Sequence, residues 1–348
     1  MKNDPARAKR ARRVNAVLMV VAFGLLGLTI ALNRQQIREV FAQPIHPGPI
    51  ILGFGLYFVG LLITFVRWYL LVRALGLPFQ LRDAVRLGFI GVVFNLVIPG
   101  AIGGDFVKGA FLCREQTRKA QAISSIVIDR ILGLLGLFLL AGLTGLWAWS
   151  AADASIKRLV VIVWVAIMSG LIVLAIAFTP ALYRPINRRV AHKRKLKIVM
   201  LELEEMATSY RTKIGVVGLG LVFSIVIHTF NVLAFYLVSQ ALFPRVPTLA
   251  EHLVITPLVL FTTAVPLPFG ALGLSEQASW GLFQLVGHPG GAIAMMGFRL
   301  LMYAGALLSL VVYWVNLRQV QGLTRGAEEL DIAQVVLEAQ AEVEIEPS

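Results

Sequence analysis

The sequence is short of the features that a soluble enzyme would need. It holds one cysteine, Cys113, which rules out an internal disulfide and any cysteine-built metal site. No Gly-x-Ser-Gly or His-Glu-x-x-His stretch appears, and no polar stretch is long enough to fold as a soluble catalytic domain. No enzyme activity, metal or cofactor is therefore expected. Acids are scarce as well, 19 against 32 lysines and arginines, for a net charge of +13. What fills the chain instead is apolar sequence: 58% of its 348 residues are hydrophobic. Apolar runs of about 20 residues mark membrane-spanning helices, so the chain reads as an all-α, polytopic membrane protein.

Six runs are long enough to span, at about 14–32, 50–75, 124–150, 159–179, 214–242 and 291–317. The first follows a basic N-terminus, 1–13. It is long for a signal-peptide core and lacks a good cleavage site, so it reads as an uncleaved span. Residues 34–49 read as a polar connection. Arg67, Trp68, Tyr69 and Arg73, at the end of the second run, read as interfacial anchors.

Two further apolar stretches are broken. Residues 87–98 are too short to cross and end in Pro99-Gly100-Ala101-Ile102-Gly103-Gly104-Asp105. Residues 252–286 contain Pro266-Leu267-Pro268-Phe269-Gly270-Ala271-Leu272-Gly273-Leu274-Ser275-Glu276. Both copies run from proline through Gly-Ala-aliphatic-Gly to an acid, and both read as re-entrant helical hairpins. An arginine follows each acid inside a span: Arg130 lies 25 residues after Asp105, and Arg299 lies 23 after Glu276.

The bases set the orientation. The N-terminus, the flanks of the first hairpin, a basic segment at 181–213 and Arg318 and Arg325 hold most of them on one side. By the positive-inside rule both termini are cytoplasmic, in a cell membrane, and the acidic tail 321–348 reads as partly disordered. The charge is then accounted for by topology and by anionic headgroups beside 181–213, not by nucleic acid.

In that frame, repeat one (about 50–150) and repeat two (about 214–317) have the same order of elements and opposite membrane direction. Inverted repeats with discontinuous helices are how many transporters build a site near the midplane. Backbone broken at membrane depth is tolerated only when buried in protein or lining a wet cavity. Pro99, Gly100, Gly103, Gly104, Pro266, Pro268, Gly270 and Gly273 supply the breaks.

Asp105 and Glu276 stand where a half-helix begins, either as simple caps or as charges facing a site. They and Arg130, Arg299, Asn95 and Lys108 are the candidate substrate-binding residues, with the two acids expected to approach one another. Ion pairing of Asp105 or Glu276 with Arg130 or Arg299 is open between a structural clamp and a headgroup site. Asn95 is expected to bond the broken backbone, and His228 to bond between helices with Asn231 on its face. Lys108 either meets phosphate or snorkels. Asp129 is placed near the cytoplasmic interface.

These residues carry a resemblance. The run from Asn95 through Asp105 with Lys108, the pair Asp129-Arg130, and the run from Pro266 to Glu276 are similar to the flippase-like membrane domain of lysylphosphatidylglycerol synthetases and its stand-alone relatives. The resemblance covers about 15–320. It implies a membrane domain, 14–320, that moves a polar lipid or lipid-linked molecule between leaflets. The soluble transferase domain is not part of it, so aminoacyl transfer is not implied. Two alternatives stand beside this: a non-transporting scaffold for an envelope enzyme partner, and an intramembrane hydrolase using two carboxylates.

Overall fold

The computed structural model describes residues 5–97, 103–115, 119–179, 204–265 and 267–316, and among these every regular element is helical. Helix α1 is Pro5–Leu32, α2 Arg34–Phe41, α3 Pro47–Ala74, α4 Leu81–Val97, α5 Gly103–Glu115, α6 Lys119–Trp147 and α7 Ala154–Phe178. Then follow α8 Ile214–Leu242, α9 Leu249–Thr262, α10 Leu274–Gln284 and α11 Gly291–Val315, with a single turn at Pro268–Ala271. The expected breaks Pro99, Gly100 and Pro266, most of the basic segment 181–213 and the acidic tail lie outside the described residues.

Five helices are long and apolar enough to cross a membrane: α3, α6, α7, α8 and α11. A sixth span is available if α1 and α2 count together, since they are bent by 69°. Here the structure corrects the reading of 34–49 as a polar connection, because its first half is helical. The bend falls at Asn33, whose amide Nδ2 donates to the Thr29 carbonyl at 2.8 Å. A side chain that bonds back onto its own helix in this way competes for carbonyls and bends it.

The spans turn large apolar side chains outward. Val161, Ile162, Val165 and Ile172 on α7, and Leu300, Leu307, Val311 and Trp314 on α11, are exposed. Such belts would be unfavourable in water and are the natural face of a helix in hydrocarbon. The chain is a multi-pass membrane protein.

The internal packing is reciprocal. Helix α3 packs along α8. The short helix α4 packs on its partner α5 and on the distant α11, and the short helix α9 packs on its partner α10 and on the distant α6. Each half of the chain thus lends its first short helix to the other half's last span. The side chains that meet are small or flat. A Cβ on Gly104 of α5 would lie 2.6 Å from the Gly91 carbonyl oxygen of α4, so only glycine allows this approach of the two arms.

Candidate functional site

Asp105 is the third residue of α5, and Glu276 is the third residue of α10. Both carboxylates therefore sit in the first turn of a short helix, where the exposed N–H groups favour negative charge. Each pairs with the arginine of the span that follows: Asp105 with Arg130, and Glu276 with Arg299. The two pairs are separate ion pairs, and of the two acids expected to share one site only Asp105 is among the residues lining the cleft described below. Their surroundings differ too. Arg130 is 42% exposed and Asp105 17%, while Arg299 and Glu276 are 4% and 0% exposed.

The closed pair holds a strained turn. Phe269, Gly270 and Ala271 have φ of 57°, 68° and 56°, a left-handed turn in which two of three residues carry a Cβ. Left-handed backbone costs an L-residue about 1–2 kcal/mol. Arg299 offsets that cost by binding the turn's carbonyls, with Nη1 donating to Phe269 O at 2.6 Å and to Gly270 O at 3.1 Å. Its Nε donates to Glu276 Oε1 at 2.5 Å, and Glu276 Oε2 accepts from the Gly273 N–H at 2.6 Å. Gly273 itself has φ +84°, and α1 crosses so close that a Cβ there would lie 2.4 Å from Leu25 Cβ. Helix α1 is tied on by Gln277 Nε2, which donates to Thr29 Oγ1 at 2.8 Å, and by Phe23 edge-on to Phe269.

The open pair faces a cleft of about 540 Å³ lined by residues of α3, α4, α5, α6, α8, α9 and α11. That is within the range of about 300–1,000 Å³ usual for ligand sites. Its polar lining includes Asn95, Asp105, Lys108 and Arg130, four of the six candidate residues, along with Arg67, Asp129, His228 and Asn231. Glu276 and Arg299 do not line it. As expected, Asn95 satisfies the broken backbone: its Oδ1 accepts from the Gly104 N–H at 2.7 Å. Also as expected, His228 bonds between helices, its Nε2 lying 2.9 Å from Gly133 O of α6.

Arg67 departs from its reading as an interfacial anchor. It is buried, with Nε donating to Asp129 Oδ1 at 2.8 Å and Nη1 to Ser224 Oγ at 2.7 Å, tying α3 to α6 and α8. Trp68 is fully buried, which no headgroup-level anchor would be. Asp129, placed by the sequence near the interface, is the buried partner of this network. The signal that was present for Arg67 is its depth: it lies a turn and a half inside Arg73 within apolar sequence.

Lys108 is 9% exposed, with Nζ 4.7 Å from the centre of the Trp68 ring. No carboxylate of the described residues is within ion-pair distance of it. Its charge is held by an aromatic face and by the nearby but otherwise engaged Asp105 and Asp129. Among the described residues of the cavity wall, three cations, Arg67, Lys108 and Arg130, stand with two carboxylates, Asp105 and Asp129.

The family model for the lysylphosphatidylglycerol synthase TM region matches residues 13–310. A UPF0104 membrane protein of Methanothermobacter thermautotrophicus is 22% identical over 286 residues, covering 74% of this chain and 81% of that protein. Another UPF0104 membrane protein, from Methanocaldococcus jannaschii, is 24% identical over 121 residues, or 34% of this chain and 36% of that protein. No solved structure matches the chain. Since the family match runs through both Pro/Gly/acid breaks and the helices that close the cavity, the chain belongs to the lysylphosphatidylglycerol synthase transmembrane-region family.

Proposed function

We propose that this protein moves a polar lipid or lipid-linked molecule between leaflets of the cell membrane, with the anionic part of the headgroup entering the cavity beside Lys108 and Arg130. The observation that carries this reading is Lys108, a nine-tenths buried cation on a cavity wall with no carboxylate among the described residues within ion-pair distance. The Trp68 face and the two engaged carboxylates compensate this charge only in part, and a phosphate oxygen would give it a direct, charge-assisted partner.

Asp105 keeps the Arg130 guanidinium at the cavity mouth, and the Arg67–Asp129 pair keeps the far wall rigid. The Glu276–Arg299 pair is the structural clamp. In this reading the two halves form an inverted-topology repeat with re-entrant hairpins; the exchange of α4 and α9 between halves supports it. The positive-inside rule then places the termini in the cytoplasm and the basic flanks of α4 and α5 against anionic headgroups. Transfer needs no covalent step.

The test is leaflet transfer of a fluorescent anionic phospholipid in vesicles containing the purified chain. Transfer above protein-free vesicles is expected, with loss of at least tenfold in Lys108→Met and recovery in Lys108→Arg. Unchanged transfer in a folded Lys108→Met protein overturns the assignment of the cavity.

A further inference from the structure

The outer face of α7 is concave where it meets the end of α6. A groove of about 400 Å³ lies there, with Leu146 and Trp149 on one side and Val160, Trp164 and Met168 on the other. Its lining runs from Val160 to Ile172, a rise of about 18 Å, against about 15 Å for half the hydrocarbon core of a bilayer. A glycine of α6 lets α7 in this close: a Cβ on Gly145 would lie 2.3 Å from Val160 Cγ2. The Trp164 indole is pinned, its Nε1 donating to the Gly142 carbonyl at 3.3 Å. Leu146, Val161, Val165, Met168 and Ile172 are exposed along the groove, so hydrocarbon is its natural filling.

One end of the groove is cationic. Lys157 and Arg158 lie one turn before Val160 and Val161 on the same face of α7. Lys157 Nζ stands 5.8 Å from the centre of the Trp149 ring, which puts its charge on the groove's rim. Arg158 is exposed, with Nε and Nη2 folded back on Ala154 O at 3.3 Å and Ser155 Oγ at 3.4 Å.

Both bases stand against the local field, because the N-terminal end of a helix favours acids. The acid at this end, Asp153, is engaged as the cap, accepting from the Ser155 and Ile156 N–H groups at 2.9 Å. No carboxylate of the described residues is within ion-pair distance of either base. The positive-inside rule does not call for them either, since it puts this end of α7 on the base-poor side. An anion at the rim accounts for both.

We infer that the groove holds one anionic phospholipid, from the leaflet at the N-terminal end of α7, as a resident lipid and not as cargo. Its phosphate meets Lys157 and Arg158, Trp149 stands at headgroup level, and one acyl chain lies along Trp164 and Val165. The groove shares no residue with the cleft around Lys108, and the inference stands whether or not the chain moves lipid.

The test is tryptophan fluorescence of the full chain in vesicles of phosphatidylcholine with a fixed fraction of chain-dibrominated lipid, either phosphatidylglycerol or phosphatidylcholine. The part of the signal lost in Trp164→Phe reports the groove. That part should show a relative affinity about fivefold higher for dibrominated phosphatidylglycerol, the factor for one base at an anionic lipid surface. Lys157→Gln combined with Arg158→Gln should bring the ratio to one. Val165→Phe fills the groove and should weaken quenching by both lipids.

Equal quenching by the two lipids in the native chain overturns the inference, as does a preference that the double glutamine variant keeps. Quenching unchanged in Val165→Phe removes the groove as the site. A Trp164 signal that neither lipid quenches also overturns it, because protein, such as a second copy of the chain, then covers this face.

Discussion

Replacing Arg299 with methionine removes three hydrogen bonds at once, those to Glu276, Phe269 and Gly270. It leaves the Glu276 carboxylate charged, 0% exposed and held by the Gly273 N–H. Removing one partner of a buried ion pair costs about 3–5 kcal/mol, chiefly because the other charge is stranded. The two hydrogen bonds to the turn's carbonyls add about 0.5–1.5 kcal/mol each to the loss, while relaxation of the left-handed turn returns about 1–2 kcal/mol for each of Phe269 and Ala271. The net expectation is a destabilisation of about 3 kcal/mol.

Arg299→Lys should fall between, since an ammonium group cannot span the carboxylate and both carbonyls as the planar fork does. The double substitution Glu276→Gln with Arg299→Met strands no charge and should be milder than Arg299→Met alone. Thermal unfolding in detergent, followed by the loss of the monodisperse peak in size-exclusion chromatography, reads all of these. An Arg299→Met protein that melts with the native one, or a double variant worse than either single, would refute the clamp.

Other outcomes follow from the same contacts. Gly104→Ala puts a Cβ 2.6 Å from a backbone oxygen of α4 and should cost about 1–3 kcal/mol; unchanged melting would mean that the arms do not pack so closely. Asn95→Leu leaves the Gly104 N–H without its acceptor, for a loss of about 1–3 kcal/mol in the same assay. Arg67→Met and Asp129→Asn should each destabilise strongly and the pair together less than additively, a coupling that a double-mutant cycle measures. Gly273→Ala forces α1 away from the turn; a thiol crosslink between cysteines placed at Thr29 and Gln277 should form in the native background and fail in this one.

Much of the architecture was legible because membranes make hydropathy decisive. Span lengths, the two interrupted stretches and the candidacy of two acids and two arginines for ion pairing follow from local sequence and its repetition, while which acid takes which arginine came from the structure. Asn95 and His228 were legible in role for the same reason: a polar group in apolar sequence must find a partner. Arg67 was misread because a base near aromatics at a helix end looks the same whether it reaches headgroups or turns inward to Asp129. The bend at Asn33 was missed because a polar stretch after a span carries no mark of whether it is helical.

The sequence by itself determined that this is a helical membrane protein with two like-patterned breaks, since apolar length and Pro/Gly placement act within a few turns of chain. Only the tertiary structure decided that the two breaks have different surroundings. Whether a carboxylate–arginine pair lies open to a cavity, as Asp105 and Arg130 do, or closed over a strained turn, as Glu276 and Arg299 do, depends on what packs beside it. Helix α1 closes over the turn at Gly273, and seven other helices leave a space around Lys108. Those neighbours come from distant parts of the chain, and their placement follows from how side-chain volumes fill the space between helices.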